Sequence, residues 1–103
     1  MAQHIGCYLE DERGKITKES GLNFADLNRI IWQVDRNKEK YKWLHTIDEY
    51  GTTAFNHLQI PFVISELKQL KTEISQNLKN LITQFIEFIS QIDIQEFIKF
   101  YGD

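Results

Sequence analysis

The sequence contains few of the residues that cross-link or interrupt a chain. Cysteine occurs once, as Cys7, and proline once, as Pro61. A single cysteine excludes an internal disulfide framework and predicts a reducing compartment, which we take to be the cytoplasm. No apolar run reaches the ~18–20 residues that a membrane-spanning helix needs. The first residues also lack the basic and then apolar order of a secretion signal, so we expect no membrane partner.

An excess of charge of either sign is also lacking. The net charge is −3, and 26% of the residues are charged while 42% are hydrophobic. This is ordinary globular composition. Domains that bind nucleic acid usually carry a basic patch or a high isoelectric point, so nucleic acid is not expected as a partner. The 103 residues suffice for one domain, and no repeat or low-complexity stretch divides residues 1–103 further.

The first third of the chain predicts short strands followed by a helix. Apolar, β-tolerant residues predict a strand over 4–9, with a returning strand near Ile16. Residues 23–34 carry apolar side chains at helical spacing behind Asn23, a good capping residue, which favours a short helix over a strand. The polar residues 36–42 predict a solvated loop.

The middle of the chain predicts a second pair of strands. Residues 43–47 are apolar and aromatic enough for a strand, and residues 48–51 follow as a turn in which Gly51 is free to take a positive φ. Residues 52–56 predict a short strand, or an extended lead into the next helix.

The second half of the chain is dominated by helical periodicity. Apolar residues recur every three or four positions after Pro61, which predicts one long amphipathic helix over about 61–91. A break near 75–77 stays open, because Ser, Gln and Asn there are mediocre helix formers. Residues 94–101 suit a strand or a last helical turn, and we favour the strand. The predicted class is α+β: a small, mostly antiparallel sheet packed on one long helix and closed by a C-terminal strand.

Two blocks of this sequence resemble a family of small bacterial proteins of about the same length. Residues 43–59 carry the pattern W-L-x-x-I-D-x-Y-G-x-T-x-F-N-x-x-Q, and residues 100–103 carry F-x-G-D. The sequence departs from that family at Glu49, where many members have proline. The family has no established activity, and it is similar to bacterial immunity proteins in size and style only by analogy.

Three groups of residues are candidates for binding. The polar turn supplies either a ligand or partner site, or a structural network that caps strand and helix; its residues are Asp48, Tyr50, Thr53, Asn56 and Gln59. An acidic turn formed by Glu10, Asp11 and Glu12 either faces a basic partner or is a solvated hairpin tip. An apolar stripe of Phe85, Phe88, Ile89 and Ile92 is either an interface with a partner or second copy, or is covered by the C-terminal strand.

Signals for catalysis are weak. His45 and His57 lie near Asp48 in the sequence, but their spacing matches no zinc motif. Cys7 stands in an apolar run, where a free cysteine usually packs as a small hydrophobe. We therefore expect no catalytic residue, no metal and no cofactor.

The leading hypothesis is a non-enzymatic bacterial module of immunity or antitoxin type that binds a toxin and blocks it. The alternatives are a ligand-binding or enzymatic domain that uses the polar turn, and a homodimeric structural protein.

Overall fold

The computed structural model describes residues 4–103. Within these residues, a four-stranded antiparallel sheet and three α-helices form the fold. The strands are β1 (Ile5–Asp11), β2 (Ile16–Asn23), β3 (Thr52–Asn56) and β4 (Glu96–Gly102), and the helices are α1 (Ala25–Val34), α2 (Ile60–Lys71) and α3 (Gln76–Ile89). The α+β class and the C-terminal strand are therefore confirmed. Within the described residues, no helix has both the length and the apolar character needed to cross a membrane.

The last strand lies inside the sheet, whose order is β2-β1-β4-β3. β4 pairs with β1 in a register that places Cys7 opposite Phe100 and Leu9 opposite Ile98. These four side chains are buried. Because alternate residues of a strand point to opposite faces, one face of the sheet carries the apolar side chains and is covered by the helices.

Three aromatic rings join the sheet to the helices. The ring of Phe24, just before α1, lies 5.2 Å from Phe85 of α3 and 5.2 Å from Phe100 of β4. Phe85 and Phe100 stack at 6.3 Å. All three side chains are buried, and large aromatic side chains contribute much of the apolar area in a core of this size.

The prediction of one helix over 61–91 is wrong. The alternative of two helices is confirmed, with the break at 72–75, slightly before the 75–77 that was considered. The Thr72 hydroxyl donates to the carbonyl of Gln69, and Ser75 is extended at φ −68° and ψ 160°. The Glu73 carboxylate accepts hydrogen bonds from Tyr41 and Lys40, which lie far away in the sequence. These bonds hold the end of α2 against the preceding loop, so the chain turns there without glycine or proline.

The break also overturns the predicted interface stripe. α3 packs against both α2 and β2. As a result Phe85, Phe88 and Ile89 are at most 7% exposed, and Ile92 is partly buried against the same core. A single long helix would leave one flank open, whereas two shorter helices cover each other. The stripe is the chain's own core.

The strand predicted over 43–47 is instead a short 3₁₀ helix, Leu44–Thr46. The Glu66 carboxylate of α2 accepts the backbone N–H groups of Trp43 at 3.1 Å and Leu44 at 2.9 Å. Leu44 and Ile47 are both buried, a spacing of three that suits a tight helical turn and not a strand. The predicted helix over 23–34 and the strand over 52–56 are confirmed within a residue or two.

Gly102 brings the end of β4 onto the turn before β3. Its N–H donates to the Gly51 carbonyl at 2.8 Å. A Cβ added at Gly102 would lie 2.1 Å from the carbonyl oxygen of Glu49, a backbone atom that cannot rotate away. The sequence blocks 43–59 and 100–103 therefore touch each other here, and this contact needs glycine.

We expect Gly102→Ala to lower the free energy of unfolding by about 3 kcal/mol, the upper part of the range for overpacking, because β4 or the turn must move. Gly21→Ala is the matched control. Gly21 has φ +69° with no atom within 4 Å of an added Cβ, so only backbone strain of about 1 kcal/mol applies. Urea unfolding followed by circular dichroism measures both variants. Equal losses would show that the contact with Glu49 does not restrict residue 102.

Candidate functional site

A cleft lies between the outer side of α1 and the segment that runs from the 3₁₀ helix into the turn before β3. It consists of two adjoining hollows of about 290 and 380 Å³. Both hollows are lined by Asn28, Trp32 and Glu49, and we call the pair the Trp32 cleft. Its remaining lining residues are Arg29, Gln33, His45, Thr46, Ile47, Asp48 and Tyr50.

Two aromatic side chains give the Trp32 cleft its exposed apolar surface. Trp32 is 40% exposed and Tyr50 is 59% exposed. Trp32 lies on α1, whose opposite side buries Leu27 and Ile31 in the core, so the helix fixes the indole toward the surface. The Asn28 amide donates to the Ile47 carbonyl at 3.4 Å and links the two walls.

An imidazole forms part of one wall, and a buried carboxylate lies behind it. Asp35, directly after α1, accepts the backbone N–H groups of Glu39, Lys40 and Tyr41 at 2.9–3.0 Å. Nε2 of His45 lies 3.2 Å from Oδ2 of Asp35, and the two side chains are 3% and 5% exposed respectively. The Trp32 ring lies against the imidazole at 4.5 Å in an edge-to-face arrangement.

The environment of Asp35 keeps it ionised. Burial raises the pKa of its carboxyl, but the N–H groups of Tyr41, Glu39 and Lys40 and the neighbouring His45 outweigh that effect, so the pKa lies below its usual value. Facing an ionised carboxylate, Nε2 of His45 donates a hydrogen bond to Asp35. Among buried side-chain nitrogen and oxygen atoms of residues 4–103, Nδ1 stands out as lacking a hydrogen-bond partner.

This pair does not complete a catalytic triad within the described residues, because no hydroxyl or thiol bonds to Nδ1. Cys7 is buried in β1, and burial raises the pKa of its thiol to about 12. It is therefore protonated at neutral pH and a poor nucleophile. No group of three or more His, Cys, Asp and Glu side chains within 4–103 is arranged to hold a metal ion.

Three residues of the predicted polar site are engaged in local structure. The Thr53 hydroxyl accepts the Asp48 N–H at 2.9 Å and donates to the Thr46 carbonyl at 3.2 Å. Oδ1 of Asn56 accepts two backbone N–H groups at the start of α2, and Oε1 of Gln59 accepts the Asn56 N–H. The structural interpretation of these residues agrees with the geometry, because their acceptors are already used.

The other two residues, Asp48 and Tyr50, line the Trp32 cleft. Asp48 also accepts the Tyr50 N–H at 2.9 Å, which shapes the turn. Trp32 was not among the candidate residues, and His45 was considered as a metal ligand or as the partner of Cys7, not as the partner of Asp35. The available signal was Asp35: an acidic residue at the end of an amphipathic helix, followed by a short polar loop, is typical of a carboxylate that binds backbone N–H groups.

The predicted acidic turn is divided by the structure. Glu10 lies in β1 and is 1% exposed, so its prediction as a surface residue is wrong. It pairs with Lys99 at 3.0 Å and accepts from the Tyr101 hydroxyl, and this bond raises the pKa of Tyr101 to about 12. Asp11 accepts the N–H groups of Arg13 and Lys15 and shapes the hairpin turn.

Glu12 is exposed beside that hairpin. A separate hollow of about 430 Å³, outside the Trp32 cleft, lies there. Its lining residues include Asp11 and Glu12 together with Asp93 and Glu96 from the segment leading into β4. The sequence did not indicate that these two acidic groups meet.

Comparison of the chain with protein families, with curated proteins and with solved structures finds no match.

We expect Asp35→Asn to lower the free energy of unfolding at neutral pH by about 2 kcal/mol, because charge-assisted hydrogen bonds weaken. Folding lowers the pKa of the Asp35 carboxyl from its ordinary value of 3.8. Its carboxylate therefore stabilises the folded state fully at pH values above 3.8, and this stabilisation is lost as the pH falls through the lower pKa of the folded state. The wild type should therefore lose more stability than the variant between about pH 5 and about pH 2. Urea unfolding at several pH values measures the difference.

Asp11→Asn is the control for this prediction. The Asp11 carboxyl pKa is also lowered, by the N–H groups of Lys15 and Arg13, but on an exposed turn. Its loss of stability should be the smaller of the two. If Asp35→Asn followed the wild type at every pH, the carboxylate would not hold the loop.

Proposed function

We propose that this protein is a non-enzymatic interaction module of bacterial immunity or antitoxin type, which binds a toxin protein and blocks its active surface. The observation that carries the proposal is the composition of the Trp32 cleft. Trp, Tyr and Arg are the residues that most often dominate the energy of protein interfaces. Trp32, Tyr50 and Arg29 line this cleft, with acidic side chains among them.

Charge supports a basic partner. The chain has a net charge of −3. Carboxylates line both the Trp32 cleft and the hollow beside the β1–β2 hairpin. Acidic surfaces of this kind steer the encounter with a basic protein and exclude acidic ones. Many toxins that act on nucleic acids carry basic active surfaces, which an acidic inhibitor covers well.

The cleft also fits a binder that needs no large rearrangement. Its walls are held by the hydrogen bonds of Asp35, the Asn28 amide and the contact of Gly102 with the turn. Fixing a surface before binding reduces the entropy lost on association.

The test is protection of cells. We expect co-expression with the toxin encoded beside the gene of this protein to restore growth, and Tyr50→Ala to weaken toxin binding by at least about tenfold. The Tyr50 side chain makes no hydrogen bond within the described residues, so the free energy of unfolding should change by less than about 0.5 kcal/mol. Calorimetric titration and growth curves measure the two effects.

Leu58→Ala is the matched control, because Leu58 is 68% exposed and lies outside the cleft. It should leave binding and growth rescue unchanged. Absence of any protein partner in a pull-down, together with no protection from neighbouring toxins, would refute the proposal. Equal effects of the two variants would place the binding surface elsewhere.

A further inference from the structure

We infer that the Trp32 cleft is a receptor for a single arginine side chain of a partner protein. The inference deepens the proposed function and rests on it for the source of that arginine. It is carried by three features of the cleft: uncompensated carboxylates, exposed aromatic faces and a buried imidazole nitrogen without a hydrogen-bond partner.

The charges that line the cleft do not balance. Arg29 forms an ion pair with Asp26, one turn before it on α1. Asp48 and Glu49 have no cationic partner within residues 4–103. Two carboxylates at the edge of a concave surface attract a positive group, since concave walls concentrate the field of nearby charges.

The aromatic side chains favour a planar cation. The ammonium group of Lys38 already lies 5.1 Å from the centroid of the Trp32 ring, so this indole accepts a cation within the chain. Lys38 does not line either hollow, and Trp32 and Tyr50 keep exposed surface in the cleft. A guanidinium group stacks on such rings, whereas an ammonium group is more strongly hydrated and does not stack.

The acceptors of the cleft match a ligand that only donates. His45 lines the cleft with its side chain 97% buried, and its Nδ1 has no hydrogen-bond partner. Asp48 and Glu49 add carboxylate oxygens. A guanidinium has five N–H donors and no acceptor, so one group can bond to separate acceptors in different directions.

The experiment is a titration of the isotopically labelled full chain with short capped peptides, followed by NMR. The peptides are Gly-Arg-Gly, Gly-Lys-Gly and Gly-citrulline-Gly, and citrulline keeps the shape of arginine without its charge. We expect the arginine peptide to bind with a millimolar dissociation constant and to shift the Trp32 indole N–H and the His45 ring. The Trp43 indole N–H lies outside the cleft and should not move. The lysine peptide should bind more weakly, and the citrulline peptide should not bind.

Variants test whether the carboxylates of Asp48 and Glu49 bind the arginine side chain. The double change Asp48→Asn and Glu49→Gln should raise the dissociation constant of the arginine peptide about tenfold, the effect of one charge-assisted hydrogen bond. Glu87→Gln removes one exposed carboxylate from α3, outside the cleft, and should have no effect. Chemical shifts of core residues such as Phe85 verify that the double variant stays folded.

The outcomes separate this inference from the proposed function. Equal binding of the arginine and citrulline peptides, or no shift at Trp32, would overturn the arginine receptor even if growth rescue depended on Tyr50. Specific binding of the arginine peptide supports the receptor even if no toxin partner existed, in which case the proposed function alone would fail.

Discussion

The hydrogen bonds of the Asp35 carboxylate fix the part of the structure on which the cleft depends. One side chain accepts three successive backbone N–H groups and faces His45. This arrangement folds the loop after α1 back on itself and places Tyr41 in the core. There the Tyr41 hydroxyl donates a hydrogen bond to Glu73, which follows α2. A buried charge of this kind is tolerated only because its oxygens are so fully used. Its effects therefore extend from the end of one helix to the break between the other two.

Local sequence signals were sufficient for most of the elements. β1, β2, α1 and β4 follow from alternation and helical spacing. Asn23, expected as the cap of α1, lies one residue before the N-cap Phe24, and its side-chain oxygen accepts the N–H groups of Ala25 and Ile5. The predictions of one long helix and of a strand over 43–47 were wrong for the same reason. Glu66 and Glu73 each bind a segment more than 20 residues earlier in the chain, and these contacts override weak local preferences.

The site was predictable only in part. Asp48 and Tyr50 were identified from the density of polar groups around Gly51, and both line the cleft. Trp32 comes from a different element and was treated as ordinary helix. Nothing in the spacing of residues indicates that α1 packs beside the turn before β3, because this depends on the loop held by Asp35. The prediction that the apolar stripe on α3 is an interface was wrong for a different reason. Periodicity shows which face of a helix is apolar, and only the tertiary fold shows whether that face is covered.

The position of β4 has a consequence for how the protein is made. β1 and β2 form a hairpin that can pair as soon as both are synthesised, whereas among the strands of residues 4–103 β3 pairs with β4 alone. During synthesis, about forty residues must be added after β3 before its partner strand β4 begins. Gly102, near the end of β4, then makes the contact with the turn at Glu49. Late pairing between distant segments is a slow step in folding. The turn before β3, which forms one wall of the cleft, therefore gains its contact with Gly102 only after β4 has been synthesised.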